Sequence, residues 1–179
     1  MVATNAERAT RTGVEILRRG GNAFDAAIAA AFTLAVVHPL AGNLGGGGFL
    51  VLRTADGETA SLDFRETAPL GATREMYMDE KGSAGNASRT GHLAVGVPGS
   101  IAGLGELHGK YGHLPWADLI EPAIRLAEVG FEVPEMFSES IRWNAERLAR
   151  FPASAAVFLP GGAPPEPGTH WNNPDLATT

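Results

Sequence analysis

Residues 22–52 decide the fold, and they read NAFDAAIAAAFTLAVVHPLAGNLGGGGFLVL. The first half is rich in alanine and other apolar residues, and it predicts a helix over residues 23–37 that Asn22 caps and Pro39 ends. A helix that is apolar on all sides belongs between layers of secondary structure. The longest apolar run, residues 26–37, falls short of the roughly 20 residues needed to span a bilayer.

The glycines at 45–48 form the most conspicuous cluster of the chain. Nucleotide-binding loops place their glycines after a strand and before a helix. Here the glycines follow a helix and precede the apolar run 49–52, which is predicted to be a strand buried on both faces. The cluster is therefore interpreted as a close-packing turn, in which the missing Cβ atoms let backbones approach each other.

A turn at residues 55–57 predicts a hairpin, and the return strand alternates in character. Its polar face ends at Arg65, at the edge of an otherwise buried sheet. A guanidinium in such a place needs an anion, and its planar fork fits a carboxylate bidentately. From spacing alone, a substrate carboxylate and an ion pair with Asp63 or Glu66 are equally good accounts of Arg65.

Further helices are predicted before and after this hairpin in the sequence. They are predicted at residues 5–19 with Thr4 and Glu7 as a capping box, at 100–108 with Ser100 as the cap, at 121–129, at 137–148, and from Asn173-Pro174 onward. Residues 81–91 are predicted to be an exposed loop, and residues 160–168 form a Pro/Gly-rich stretch. The fold class is therefore mixed α/β of the α+β kind. Residues 1–179 are expected to form a single incomplete domain, because the last predicted helix is too short to stand alone.

Composition excludes several classes of function. The formal charge is −6 and the basic residues are scattered, which argues against nucleic acid as a partner. Cysteine is absent, so no disulfide, thiolate nucleophile or Cys-ligated metal is expected. The five histidines form no close ligand pair with a carboxylate, and we expect neither a metal nor a cofactor.

Five stretches together resemble the γ-glutamyltransferase family, in the order and at the spacing of that family. They are GGNAFDAA (20–27), HP followed by GNLGGGGF (38–39 and 42–49), DFRETAP (63–69), VGVPG (95–99) and YGHLPW (111–116). The resemblance is close as far as about Phe131 and weaker beyond it. It identifies the chain as the N-terminal portion of the large subunit.

The resemblance implies an N-terminal-nucleophile (Ntn) hydrolase with a four-layer αββα sandwich. In this family a precursor, or zymogen, cleaves itself into two subunits, and the new N-terminal Thr of the small subunit attacks γ-glutamyl compounds such as glutathione. No catalytic residue is expected in this chain, and Thr178 and Thr179 come too early to be that nucleophile. By motif, Arg65 is similar to the family's arginine that binds the substrate's α-carboxylate. The resemblance also implies a periplasmic or extracellular location.

Three alternatives remain open at this point. A related acylase would cleave glutaryl side chains of β-lactams, and a related transferase would act on capsule poly-γ-glutamate. The chain alone is expected to catalyse nothing, so it could instead be a non-catalytic assembly module. The side-chain specificity depends on residues outside these 179.

Overall fold

The computed structural model describes every residue from Met1 to Thr179 and divides the chain into two compact units. One unit comprises Met1–Asn43 and Leu107–Thr179, and the other comprises Leu44–Glu106. Helices dominate the first unit, and a β-hairpin forms the centre of the second. The expectation of a single incomplete domain stays a prediction.

Helix α2 (Ala23–Val37) is the centre of the first unit and confirms the sequence prediction. The Asn22 side chain accepts hydrogen bonds from the backbone amides of Phe24 and Asp25, and Asp25 accepts one from the backbone of Asn22. These reciprocal bonds satisfy N–H groups that a helix start leaves without partners. Buried side chains occur on most sides of α2, as its apolar sequence requires.

Helix α1 (Glu7–Arg18) packs against α2, close to its predicted position. The predicted capping box of Thr4 and Glu7 is wrong. Ala6 occupies the N-cap position and supplies no side-chain bond. The Thr4 hydroxyl lies 2.9 Å from that of Thr10 and donates to the Ala6 carbonyl, so a local turn uses up the group that would have capped the helix.

Two helices depart furthest from the predicted bounds. Helix α3 (Ser100–Tyr111) has Ser100 as its first helical residue, so Ser100 is not a cap, and the helix runs three residues past His108. Helix α4 (Trp116–Val129) is continuous through Pro122, where the sequence predicted a new start. A proline removes one backbone N–H, and here the helix continues across that loss.

The remaining elements complete the first unit. They are β3 (Phe131–Glu132), α5 (Glu135–Leu148), α6 (Pro152–Phe158), β4 (His170–Trp171) and α7 (Pro174–Thr178). Strands β3 and β4 pair antiparallel and bring the buried Trp171 ring to within 5.5 Å of Phe131, measured between centroids. Two-residue strands carry no periodicity, so the sequence did not predict them. Asn173 caps α7 as predicted.

The hairpin of the second unit consists of β1 (Phe49–Arg53) and β2 (Thr59–Asp63), which pair antiparallel. The prediction that β1 is buried on both faces is wrong. Leu52 is buried, but Phe49 is 67% and Val51 is 84% exposed. Only the face that carries Leu52 packs inward, whereas the opposite face of this two-stranded sheet is open to solvent.

The loop after the hairpin is largely exposed over residues 81–91, as predicted, with one 3₁₀ turn at Asn86–Ser88. The backbone amides of Gly99 and Ser100 both donate to the carbonyl of Gly46, at 2.9 and 3.0 Å. These bonds hold the start of α3 against the glycine-rich loop. No helix in the structure combines the length and the apolar character that a membrane crossing requires.

Candidate functional site

The segment after β2 is held from two sides. Phe64 donates from its backbone to Gly48 at 3.0 Å and accepts from the same residue at 3.4 Å, which extends the hairpin beyond its last assigned pair. On the other side, Thr67 and Val97 exchange backbone hydrogen bonds at 3.2 and 2.8 Å. Arg65 and Glu66 therefore lie on a stretch of backbone that is fixed at both ends.

Four glycines surround Phe64, and we call them the glycine cradle: Gly47, Gly48, Gly99 and Gly103. A Cβ on Gly47 would lie 2.4 Å from the Phe64 carbonyl oxygen, and a Cβ on Gly103 would lie 2.3 Å from Phe64 Cγ. None of the four has a positive φ. They are glycines because the Phe64 backbone and ring occupy the space where a side chain would begin.

The cradle supports the packing interpretation of the glycine cluster. Three stretches that are far apart in sequence, at 42–49, 63–69 and 95–99, meet around one phenylalanine. Their common effect is to fix the backbone that carries Arg65.

Arg65 lies on the exposed face of the hairpin, two residues beyond the end of β2. Phe49 is paired with Asp63 across the sheet, so Phe49, Asp63 and Arg65 project from the same face. The guanidinium carbon of Arg65 lies 5.6 Å from the centroid of the Phe49 ring. This separation is within the range of a cation–π contact.

Of the two predicted ion pairs of Arg65, the structure contains the one with Glu66 and not the one with Asp63. Asp63 does not pair with the guanidinium, and its carboxylate instead accepts a hydrogen bond from the Arg65 backbone at 3.0 Å. Glu66 does, through Arg65 Nε at 3.3 Å, with the Arg65 side chain 62% exposed. Arg65 lies on the polar face as predicted, but the prediction that the sheet around it is otherwise buried is wrong. The contact with Glu66 is a single exposed one. It leaves the edge formed by the two terminal nitrogens available to an anion.

Glu66 is held in its charged form. The pKa of its carboxyl is lowered, chiefly by a hydrogen bond from its own backbone amide and further by Arg65. The backbone of Gly47 acts in the same direction. A charged Glu66 next to the Nε of Arg65 fixes that side of the guanidinium without covering its outer edge.

A second polar cluster lies in the helical unit, around the fully buried Asp25. Its carboxylate accepts hydrogen bonds from the backbone amides of His113 at 3.0 Å, Leu114 at 3.3 Å and Asn22 at 2.9 Å. The side-chain amide of Asn22 also donates to the backbone carbonyl of Tyr111 at 2.7 Å. This cluster joins the start of α2 to the loop between α3 and α4, and its polar groups are all occupied by the chain itself. We assign it a structural role that sequence spacing did not predict.

The described residues contain no group of three His, Cys, Asp or Glu side chains that could hold a metal ion. Around Arg65 the structure therefore offers one cation, a neighbouring carboxylate and an aromatic ring. This arrangement can bind and orient an anion.

Comparison with known proteins decides the family. The family model described as gamma-glutamyltranspeptidase matches residues 9–179. The chain belongs to the gamma-glutamyltranspeptidase family. The resemblance of the five sequence stretches is thereby confirmed.

The relatives of this chain include proteins named as hydrolases and as acylases. The glutathione hydrolase proenzyme of Pseudomonas sp. (strain A14) is 45% identical over 181 residues, covering 100% of this chain and 32% of that protein. The acylase ACY 1 proenzyme of Pseudomonas sp. (strain SE83) is 42% identical over 186 residues, covering 100% of this chain and 33% of that protein. The chain thus spans about a third of the length of these relatives.

A solved structure supports the fold. The crystal structure of the Helicobacter pylori gamma-glutamyltranspeptidase matches with a TM-score of 0.96 and 42% identity, covering 99% of this chain and 52% of that chain. Together with the mixture of helices and strands, this match confirms the predicted α+β class and the Ntn-hydrolase assignment.

Proposed function

We propose that the full-length protein transfers the γ-glutamyl group of glutathione and related compounds to water or to an acceptor amine, and that Arg65 binds the α-carboxylate of the donor. The observation that carries the proposal is the Arg65 side chain itself. Its backbone is fixed by the glycine cradle, its Nε is paired with Glu66, and that ion pair does not use its two terminal nitrogens. A guanidinium edge presents two parallel N–H donors that match a carboxylate.

The nucleophile is proposed to lie outside these residues. A Thr at the N-terminus of a small subunit, produced from the same precursor, attacks the γ-carbonyl carbon of the donor. An ester to the Thr oxygen forms, and the amine of the leaving group departs with a proton. Water or an acceptor amine then attacks the ester and releases the Thr. Family membership and the proenzyme names of the relatives support this scheme.

The role of Arg65 is tested by Arg65→Lys in the full-length enzyme. Lysine keeps the charge but loses the fork, and hydrogen bonds to charged groups are worth about 1.5–3 kcal/mol each. We expect kcat/KM for a γ-glutamyl donor to fall at least about tenfold, since one decade corresponds to about 1.4 kcal/mol. Arg53→Lys, at the other end of the hairpin's exposed face, is the matched control and should have little effect.

A second donor makes the test specific. A 4-aminobutanoyl donor has the same chain and amino group without the α-carboxylate, so Arg65→Lys should barely change its turnover. Arg65 is mostly exposed, so the melting temperature of the Arg65→Lys variant should also change little. Equal losses for both donors, together with a large drop in melting temperature, would show that Arg65 is structural.

The relative named as an acylase supports one other candidate function, which the family resemblance specifies as the hydrolysis of glutaryl amides. A glutaryl group retains the carboxylate that Arg65 is proposed to bind and lacks the α-amino group. The wild-type ratio of kcat/KM for γ-glutamyl and glutaryl donors decides between the two activities. Arg65→Lys should impair either one.

The proposed small subunit can be tested directly. We expect the full-length gene product to yield two chains on maturation, the larger of which contains residues 1–179. Intact-mass analysis of the purified protein checks this. A single uncut chain with full activity would contradict the precursor scheme.

A further inference from the structure

Phe49 is an aromatic residue on the open face of the hairpin. It is the first residue of β1, and 67% of its surface is exposed. Its neighbours along the strand divide by face, with Leu52 on the inward face and Val51 on the same open face as Phe49. Within residues 1–179 the hydrophobic effect therefore contributes little at this position, and the ring makes a contact with a charged group.

That contact is with Arg65. The hairpin register places Phe49 directly opposite Asp63, and Arg65 is the next residue on that face of the return strand. A diagonal neighbour of this kind is within reach of an aromatic or a long side chain. The Arg65 guanidinium carbon lies 5.6 Å from the Phe49 ring centroid.

The ring and Glu66 restrain the guanidinium in different ways. Glu66 holds Nε at 3.3 Å, which fixes one point but allows the plane to swing about it. The face of an aromatic ring attracts a guanidinium that lies over it. The ring contacts the guanidinium at its central carbon and Glu66 contacts it at Nε, so two contacts hold the group and neither uses its two terminal nitrogens.

We infer that Phe49 is a positioning residue for Arg65, holding its guanidinium so that the terminal edge meets the donor's α-carboxylate. This inference rests on the proposed function of Arg65. Phe49 touches the arginine and not the reacting atoms, so its effect falls on donor binding. A guanidinium that is not held would have to be ordered when the donor binds, and that cost weakens the affinity.

The test compares three changes in the full-length enzyme. Phe49→Leu removes the π-face and keeps an apolar side chain, Phe49→Trp keeps a π-face, and Val51→Ala is the control on the same open face. We expect Phe49→Leu to raise KM for a γ-glutamyl donor by about two- to fivefold, in line with an exposed cation–π contact, and to leave kcat unchanged. Phe49→Trp should keep KM at the wild-type value, and Val51→Ala should not change KM either.

The 4-aminobutanoyl donor separates this inference from its premise. Without a carboxylate to bind, its KM should be the same in wild type and Phe49→Leu. If Arg65→Lys distinguishes the two donors and Phe49→Leu does not, the function of Arg65 stands and the role of Phe49 is refuted. If Arg65→Lys fails to distinguish them, the proposed role of Arg65 is refuted, and this inference with it.

Melting temperatures show whether a variant has lost stability as well as donor binding. Phe49→Leu should melt within a few degrees of wild type, because the side chain is mostly exposed. If it does not fold, Phe49→Met provides a second apolar replacement without a π-face. Loss of activity toward both donors in Phe49→Met, or a Phe49→Trp variant that behaves like Phe49→Leu or Phe49→Met, would overturn the positioning role.

Discussion

A Cβ added to Gly99 would lie 2.0 Å from the carbonyl oxygen of Phe64. No side chain relaxes such an overlap, because the obstructing atom belongs to the backbone that leads into Arg65. The pair shows how a glycine outside the site can control a side chain within it: the backbone at Gly99 packs directly onto the backbone at Phe64.

Gly99→Ala is therefore expected to destabilise the full-length protein by about 1–3 kcal/mol, the usual cost of overpacking. Gly47→Ala should do the same, since its Cβ would also meet the Phe64 carbonyl oxygen. Gly71→Ala is the matched control, because a Cβ there meets nothing within 4 Å. Melting temperatures check the prediction. If Gly47→Ala melted like Gly71→Ala and lost only substrate affinity, the glycine cluster would be a ligand loop after all.

Asp25→Asn is expected to lower the free energy of unfolding by about 3 kcal/mol. The amide has one acceptor oxygen, whereas the carboxylate accepts from three backbone N–H groups, and donors left without partners are costly. Asp118→Asn is the control, because its ion pair with Arg19 is 44% exposed on the aspartate side. Urea denaturation of both variants measures their free energies of unfolding and checks the prediction. A loss no larger than that of Asp118→Asn would mean that the buried carboxylate contributes nothing that an amide cannot.

Pro122→Ala is expected to stabilise the protein by about 2 kcal/mol. Pro122 lies inside α4, where a proline lacks an N–H and its ring crowds the preceding turn. Part of that gain is offset because alanine leaves the unfolded chain freer. Pro152→Ala, at the first turn of α6, should give no gain, since a proline is tolerated there. Thermal melts measure both, and an unchanged or lower melting temperature for Pro122→Ala would refute the prediction.

The sequence by itself determined the features that depend on neighbouring residues. The Asn22 cap and the apolar run after it predicted α2, and the alternation after residues 55–57 predicted the hairpin with Arg65 on its polar face. These patterns are local, because a cap acts within one turn and a strand alternates with a period of two. Five ordered motifs were also sufficient to indicate the family.

Only the tertiary structure decided how these pieces meet. Phe49 was predicted to be buried, but the face it projects from is open, and that exposure depends on which layers cover a sheet. The partner of Arg65 was left open between Asp63, Glu66 and a substrate, because spacing gives proximity and not the direction of a side chain. The contacts of Asp25 with His113 and Leu114 join positions almost ninety residues apart. Such contacts are set by packing between elements, which no periodicity within a single element records.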